Sequence, residues 1–120
     1  MDPVLVRRSF ITFHVVLGLG LLAESIRTLL HAMTPENRHS HQHIAVIAAV
    51  EAVGAILLLL PRTLRPGALL LVLTIGPAFI VHAMQGAWRP DLAIYTAGAW
   101  FVFAHGSAWL PRAPVPSVAA

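Results

Sequence analysis

The chain has 120 residues, of which 58% are hydrophobic and 11% are charged. Its mean hydropathy of +0.77 exceeds what one small soluble domain can bury, so the composition excludes an ordinary soluble globule and indicates a chain covered largely by lipid. All eight basic residues are arginines, placed singly or in pairs between apolar segments. This pattern is typical of membrane-flanking anchors, so we expect no nucleic-acid partner. The absence of cysteine excludes disulfides and thiolate metal ligands.

Four apolar segments predict four membrane-spanning helices, because each approaches the roughly 20 residues that cross the hydrocarbon core. We expect one domain over residues 1–112 and a flexible tail over residues 113–120, where Pro114 and Pro116 interrupt any apolar period. The predicted fold is an all-α, integral membrane four-helix bundle with short loops. The expected spans are residues 9–31, 43–61, 67–84 and 92–110.

The first span and the loop after it carry two local signals. Glu24 and Arg27 are three residues apart, so on a helix they are neighbours and are expected to pair near the membrane edge. Thr34, Pro35 and Glu36 form a typical helix start, with a capping residue, a proline in the first turn and an acid. The second helix is therefore predicted to begin there, well before its apolar segment.

If the second helix begins there, His39, His43 and Glu51 share one of its faces, since they are spaced by four and by eight residues. Glu51 is the one acid in an apolar segment that continues to Leu60, and it falls near the bilayer midplane. A carboxylate at that depth costs about 2.5 kcal/mol or more unless it is protonated, paired or facing water. Glu51 is therefore a candidate functional residue, the alternative being a protonated carboxyl that joins two helices.

The distribution of arginines predicts the orientation of the bundle. Four spans place both termini on one side, which has five arginines near the spans against at most three on the other. The positive-inside rule then places both termini in the cytoplasm. The arginines on the two sides are Arg7, Arg8, Arg62, Arg65 and Arg112, and Arg27, Arg38 and Arg89.

Depth along the helices divides the other polar residues into an outer and an inner group. The outer group lies above Glu51 and supports three hypotheses: a zinc, copper or iron site with His39 and His43 as ligands, a quinone headgroup site, or a proton path to Glu51. The alternative is that these histidines are merely solvated. The outer group comprises Glu24, Arg27, His31, His39, His43, His82 and Tyr95.

The inner group is a pair of histidines, His14 and His105, at matching depth in the first and fourth spans. Two histidines on adjacent helices can ligate haem b. Against haem, histidines near membrane ends occur often by chance and find other partners. Tyr95, in the outer half of the fourth span, is a further candidate cofactor-binding residue.

Part of the chain resembles the DoxX and DoxD-like family of small four-span bacterial membrane proteins. The resemblance covers roughly residues 45–82 and rests on three features: the acid and small-residue patch followed by a leucine run over 50–60, the basic turn and leucine-rich return over 63–73, and His82. Pro61 departs from the family pattern, which tends to have glycine there. The resemblance implies a multi-pass protein of the bacterial cytoplasmic (inner) membrane, linked to quinone-coupled redox chemistry. Some relatives look like small subunits of thiosulfate:quinone oxidoreductases and others like partners of redox enzymes.

The leading hypothesis is a small membrane subunit or accessory protein of a quinone-linked redox complex. Glu51, Glu24 and His82 are its candidate catalytic residues, and other membrane subunits or further copies of the chain are its expected protein partners. The alternatives are a metal-binding or metal-transporting protein and a purely structural scaffold. Whether any catalysis resides in this chain stays open at the level of sequence.

Overall fold

A computed structural model describes residues 2–37 and 39–109, with residues 107–109 described by their backbone only. All regular structure in these ranges is helical, which confirms the predicted all-α fold. The predicted tail over residues 113–120 lies outside the described residues. Neighbouring helices run antiparallel and form a bundle with extents of 63 × 32 × 19 Å. The helices are α1 (Pro3–Ala32), α2 (Gln42–Leu59), α3 (Leu64–Met84) and α4 (Pro90–Trp109).

The start of α2 differs from the prediction. Thr34 closes α1 instead of opening α2, because its hydroxyl donates to the carbonyl of His31 over 2.9 Å. Asn37 donates to the same carbonyl and to the Thr34 hydroxyl. These side chains satisfy carbonyl oxygens that the end of a helix leaves free, so the segment forms turns. The prediction that α2 begins near Thr34 is wrong, and His39 does not share a helix face with His43.

The junction of α2 and α3 is held by side chains from two directions. The Thr63 hydroxyl donates to the carbonyl of Leu57 over 2.8 Å, and Nε2 of His14 donates to the carbonyl of Leu58. Both carbonyls belong to the last turn of α2, where no further residue of the helix can bond them. The end of α2 is therefore fixed both to the turn after it and to α1.

The core follows the axis of the bundle. Leu58, Leu71, Ile75 and Val102 are each almost wholly buried and come from α2, α3 and α4. Many large apolar side chains on all four helices point outward, as lipid contact requires. Contact is extensive between α1 and α2, α2 and α3, and α3 and α4, and is weakest between α1 and α4.

Of the described helices, α1, α2 and α3 are long and apolar enough to cross a membrane. The fourth span stays a prediction, supported by packing along α3. Thr96 of α4 lies against Gly76, and Leu64 at the start of α3 lies against Gly106 near the end of α4. Because α3 and α4 are in contact at both of these positions along their length, we expect α4 to cross the same membrane layer as α3.

Candidate functional site

Polar side chains from α1, α2, α4 and the loop before α4 line one small cleft. It lies toward the end of the bundle opposite to the beginning of α1 and the end of α4, and it has a volume of about 80 Å³. We call it the polar cleft. Its apolar walls are Leu21, Ile75 and Leu92, and its polar residues are Glu24, Ser25, Thr28, Glu51, Arg89, Asp91 and Tyr95.

The α1 side of the polar cleft continues the face of that helix that packs into the core. Leu21, Ser25 and Thr28 are spaced by four and three residues and therefore lie on one face. Ser25 is only 2% exposed, and its hydroxyl has no hydrogen-bond partner among the described residues. Buried hydroxyls are normally hydrogen-bonded, so this unpartnered hydroxyl in the wall of the cleft is an exception among the described side chains.

Glu51 reaches the polar cleft from α2. It follows the buried Ala48 and precedes the buried Ala55 and Leu58 at spacings of three and four residues, so it occupies the core-facing stripe of the helix. The residue is half-buried. Neither of the two ion pairs within residues 2–37 and 39–106 involves its carboxyl group. Glu51 therefore faces the interior of the bundle and not the lipid.

An ion pair forms the rim of the polar cleft. Arg89 donates two parallel hydrogen bonds to the Asp91 carboxylate, from Nε to Oδ1 at 3.0 Å and from Nη2 to Oδ2 at 2.7 Å. Both groups precede the apolar part of α4. The hydrogen bond from Arg89 lowers the pKa of the Asp91 carboxyl, and the same bond raises the pKa of Arg89, with a further contribution from the charge of Glu24. The rim therefore carries an arginine paired with one carboxylate, Asp91, and influenced by the charge of a second, Glu24.

The polar cleft unites three of the residues singled out in the sequence, Glu24, Glu51 and Tyr95. Glu24 also approaches Arg27 at 3.9 Å, as predicted, but both side chains are largely exposed. His82 is not part of the cleft lining. Its Nδ1 donates to the carbonyl of Ala78 one turn earlier on the same helix, at 2.8 Å.

The predicted metal ligands are separated from this site. His39 lies in an exposed turn and His43 is exposed in the first turn of α2. Within the described part of the chain, no three side chains of His, Cys, Asp or Glu come together as metal ligands could. The zinc, copper or iron site at His39 and His43 stays a prediction without a described third ligand.

The two inner histidines have different surroundings. His14 is 3% exposed, and its Nε2 carries the proton that is donated to Leu58, since a carbonyl oxygen can only accept. That nitrogen is therefore engaged in holding α2 and does not point to a haem. His105 is exposed, and its ring centroid lies 5.0 Å from that of Phe101.

Sequence reasoning missed four residues of the polar cleft: Ser25, Thr28, Arg89 and Asp91. A signal existed for Ser25, because Phe10, His14, Leu17 and Leu21 recur every three or four residues and the next position of that stripe is Ser25. No signal in the sequence places Arg89 and Asp91 beside α1, since that depends on how α4 packs.

The fold defines a small polytopic membrane protein with a polar cleft between its helices. A comparison with known families finds a match to the DoxX-like family over residues 8–107. Because the match covers most of the chain, the protein belongs to this family, and the resemblance noted over residues 45–82 is confirmed and extends to all four helices. No curated protein and no solved structure gives a significant match.

Proposed function

We propose that this chain is a small membrane subunit or accessory protein of a quinone-linked redox complex in the bacterial cytoplasmic membrane, with both termini in the cytoplasm. In this proposal the polar cleft exchanges protons between Glu51 and the outer surface. Reduction of a quinone to a quinol takes up two protons with two electrons, so such a complex needs a route for protons to a site within the membrane. The observation that carries the proposal is the core-facing Glu51 in a cleft with hydroxyl and charged groups.

The volume of the polar cleft limits what enters it. Pockets that enclose an organic ligand measure about 300 to 1,000 Å³, whereas this cleft measures about 80 Å³. We therefore do not place a quinone ring inside it and assign no step on the quinone to these residues. Since one water takes about 30 Å³ of liquid, the cleft has room for two or three waters. That number suffices for a short proton path.

The residues of the polar cleft suit distinct parts of such a path. Glu51 is the deep group that takes up and releases the proton. An acid at midplane depth is energetically costly, so such residues usually have a function or a paired partner. The unpartnered hydroxyl of Ser25 and the hydroxyl of Tyr95 can each hold a water by a hydrogen bond. Glu24 and the pair of Arg89 with Asp91 connect the cleft to bulk water at its rim.

The test is quinone-linked turnover of the native complex in its membrane, with Glu51→Gln compared with Glu36→Gln. Glu36 is an exposed acid in the turn after α1 and lies outside the cleft, so the control makes the same chemical change elsewhere. General acid or base groups contribute about a hundredfold or more to a rate. We expect Glu51→Gln to lower turnover at least tenfold, with Glu51→Asp retaining an intermediate rate and Glu36→Gln the full rate. Equal turnover of Glu51→Gln and the wild type would overturn the proposal and leave the chain as a structural scaffold.

A further inference from the structure

The polar lining of the polar cleft consists almost entirely of oxygen atoms. Apart from the guanidinium of Arg89, its polar side chains end in three carboxylates and three hydroxyls. The carboxylates belong to Glu24, Glu51 and Asp91, and the hydroxyls to Ser25, Thr28 and Tyr95. Sulfur and imidazole, the ligands that zinc and copper favour, do not occur in this lining. Oxygen donors of this kind suit hard cations instead.

The charges around the polar cleft leave one acid unbalanced. Arg89 and Asp91 neutralise each other through their ion pair at 2.7 Å, so the remaining acids of the lining are Glu24 and Glu51. Glu24 is largely exposed at the rim and lies 3.9 Å from Arg27. The half-buried Glu51 is therefore the carboxyl group of this lining that no ion pair with a described basic side chain balances.

Ser25 provides an independent observation in the wall of the same cleft. The residue is 2% exposed, and among the described side chains its hydroxyl is the one buried polar group without a hydrogen-bond partner. A hydroxyl oxygen has two lone pairs, so it can bind a cation as well as accept a hydrogen bond. A cation beside Ser25 would remove the free-energy cost of leaving this buried oxygen unbonded.

Glu51 and Ser25 lie at similar depths on neighbouring helices. The hydrogen bond between His14 and Leu58 joins the antiparallel helices α1 and α2 at one level. From that level, Glu51 is seven residues back along α2, and Leu21 is seven residues onward along α1. Ser25 follows Leu21 by one turn, about 6 Å along the helix axis. Because all three residues line one cleft of about 80 Å³, a small ion in it is close to both the carboxyl group and the hydroxyl.

We propose that the polar cleft binds a sodium ion between the carboxylate of Glu51 and the hydroxyl of Ser25, with water as a further ligand. A monovalent ion is favoured because protein sites for calcium use several carboxylates. Within the described residues, no three side chains of His, Cys, Asp or Glu gather as such a site requires. The cleft has room for a small ion and about two waters. Binding needs neither a quinone nor a partner subunit, so this inference does not rest on the proposed function.

The first test is equilibrium retention of radioactive sodium by the purified full chain in detergent, with sodium chloride or choline chloride as the competitor. Choline is too large for the cleft, so we expect only unlabelled sodium to displace the label. A contact between a hydroxyl and a charged group changes affinity about tenfold, so Ser25→Ala should bind sodium about tenfold more weakly. The matched control is Ser9→Ala, which removes an exposed hydroxyl near the beginning of α1 and should bind sodium as the wild type does.

A second pair of variants tests the carboxylate. Glu51→Gln removes the charge with little change of shape and should abolish sodium retention, whereas Glu36→Gln, outside the cleft, should leave it unchanged. Thermal unfolding in sodium-free choline chloride checks that each variant is folded. The site is contradicted if the wild type shows no saturable retention, if Ser25→Ala and Glu51→Gln both retain sodium like the wild type, or if calcium displaces the label better than sodium does. No quinone is present in this assay, so sodium binding and quinone-linked turnover can fail separately.

Discussion

The polar cleft, which is lined by residues of all four helices, differs in nearly every property from a groove at the opposite end of the bundle, which is lined by the beginning of α1 and the end of α4. The cleft is small, holds two acids from α1 and α2 and is bordered by an ion pair. The groove is more than eight times as large, 690 Å³ against 80 Å³, and is lined by phenylalanine rings. Its polar lining residues are Ser9 and His105. The two ends of this bundle therefore differ in chemistry, with acids and hydroxyl groups at one end and aromatic rings at the other.

The difference arises from a change of residue type along continuous stripes. On α1 the inward face carries Phe10 and His14 near the beginning of the chain and Ser25 toward the other end. On α2 the same change is reversed in sequence, with Glu51 before the buried Leu58. Because the helices are antiparallel, the polar parts of both stripes meet at one level. Helix packing has collected polar groups that the sequence spreads over the chain.

The largest expected effect tests the close packing of the end of α2 against the beginning of α3, at the end of the bundle where α1 and α4 are less tightly packed. A Cβ on Gly67 would lie 2.7 Å from the carbonyl carbon of Leu57. Because this atom belongs to the backbone, the clash cannot be relieved by a change of side-chain rotamer. Gly67→Ala should lower the free energy of unfolding by about 3 kcal/mol, the upper range for overpacking. Thermal unfolding in detergent measures this. Gly20, where nothing lies within 4 Å of the added carbon, is the control, and its alanine variant should be no less stable than the wild type.

The next effect distinguishes a structural from a haem-ligating role for the inner histidines. His14→Leu leaves the Leu58 carbonyl without its donor and should cost about 2 kcal/mol, as expected for an unpaired buried group. His105→Leu, at an exposed position, should change the unfolding temperature little. A Soret band in the purified protein that is lost in both variants contradicts this assignment.

A smaller effect separates stability from proton exchange in the polar cleft. Ser25→Ala removes a buried hydroxyl that has no partner among the described residues, so stability should stay the same or rise by about 1 kcal/mol. If the proposed proton path is correct, quinone-linked turnover should nevertheless fall, because a water in the cleft would lose this hydroxyl as a hydrogen-bond partner. Turnover and unfolding are measured on the same preparation, and unchanged turnover removes Ser25 from the path.

The smallest effect concerns the rim of the polar cleft. The pKa of Asp91 is lowered in the folded chain by its hydrogen bond from Arg89, so the pair stabilises the fold above the unfolded-state pKa of about 3.9. This contribution is lost as the pH falls through the lower folded-state pKa. The pair is solvent-exposed, so it contributes less than about 1 kcal/mol. Unfolding curves of the wild type and Asp91→Asn should differ slightly at pH 6 and converge only when the pH has fallen through the lowered folded-state pKa of Asp91. A gap that stays constant as the pH is lowered from 6 through that range argues against the pair.

Much of the fold could be predicted from residue types alone. Apolar segments near the length of a bilayer crossing predict the four helices, and the acid, leucine run and basic turn around Glu51 indicate the family that the comparison confirms. The start of α2 could not be predicted correctly, because Thr34 suits the beginning of one helix as well as the end of another. Its hydroxyl donates a hydrogen bond to the His31 carbonyl of α1, and this contact depends on the conformation of the whole turn.

The sequence by itself determined the number of helices, their apolar character and the presence of one acid deep in the second helix. Only the tertiary structure decided that Glu51 lies beside Ser25 and Tyr95 and below the ion pair of Arg89 and Asp91. The physical reason is that hydropathy and helix rise fix the depth of a residue, whereas its neighbours depend on how each helix is rotated about its axis. That rotation is set by close packing, as where Gly18 of α1 meets the side chain of Leu59 of α2.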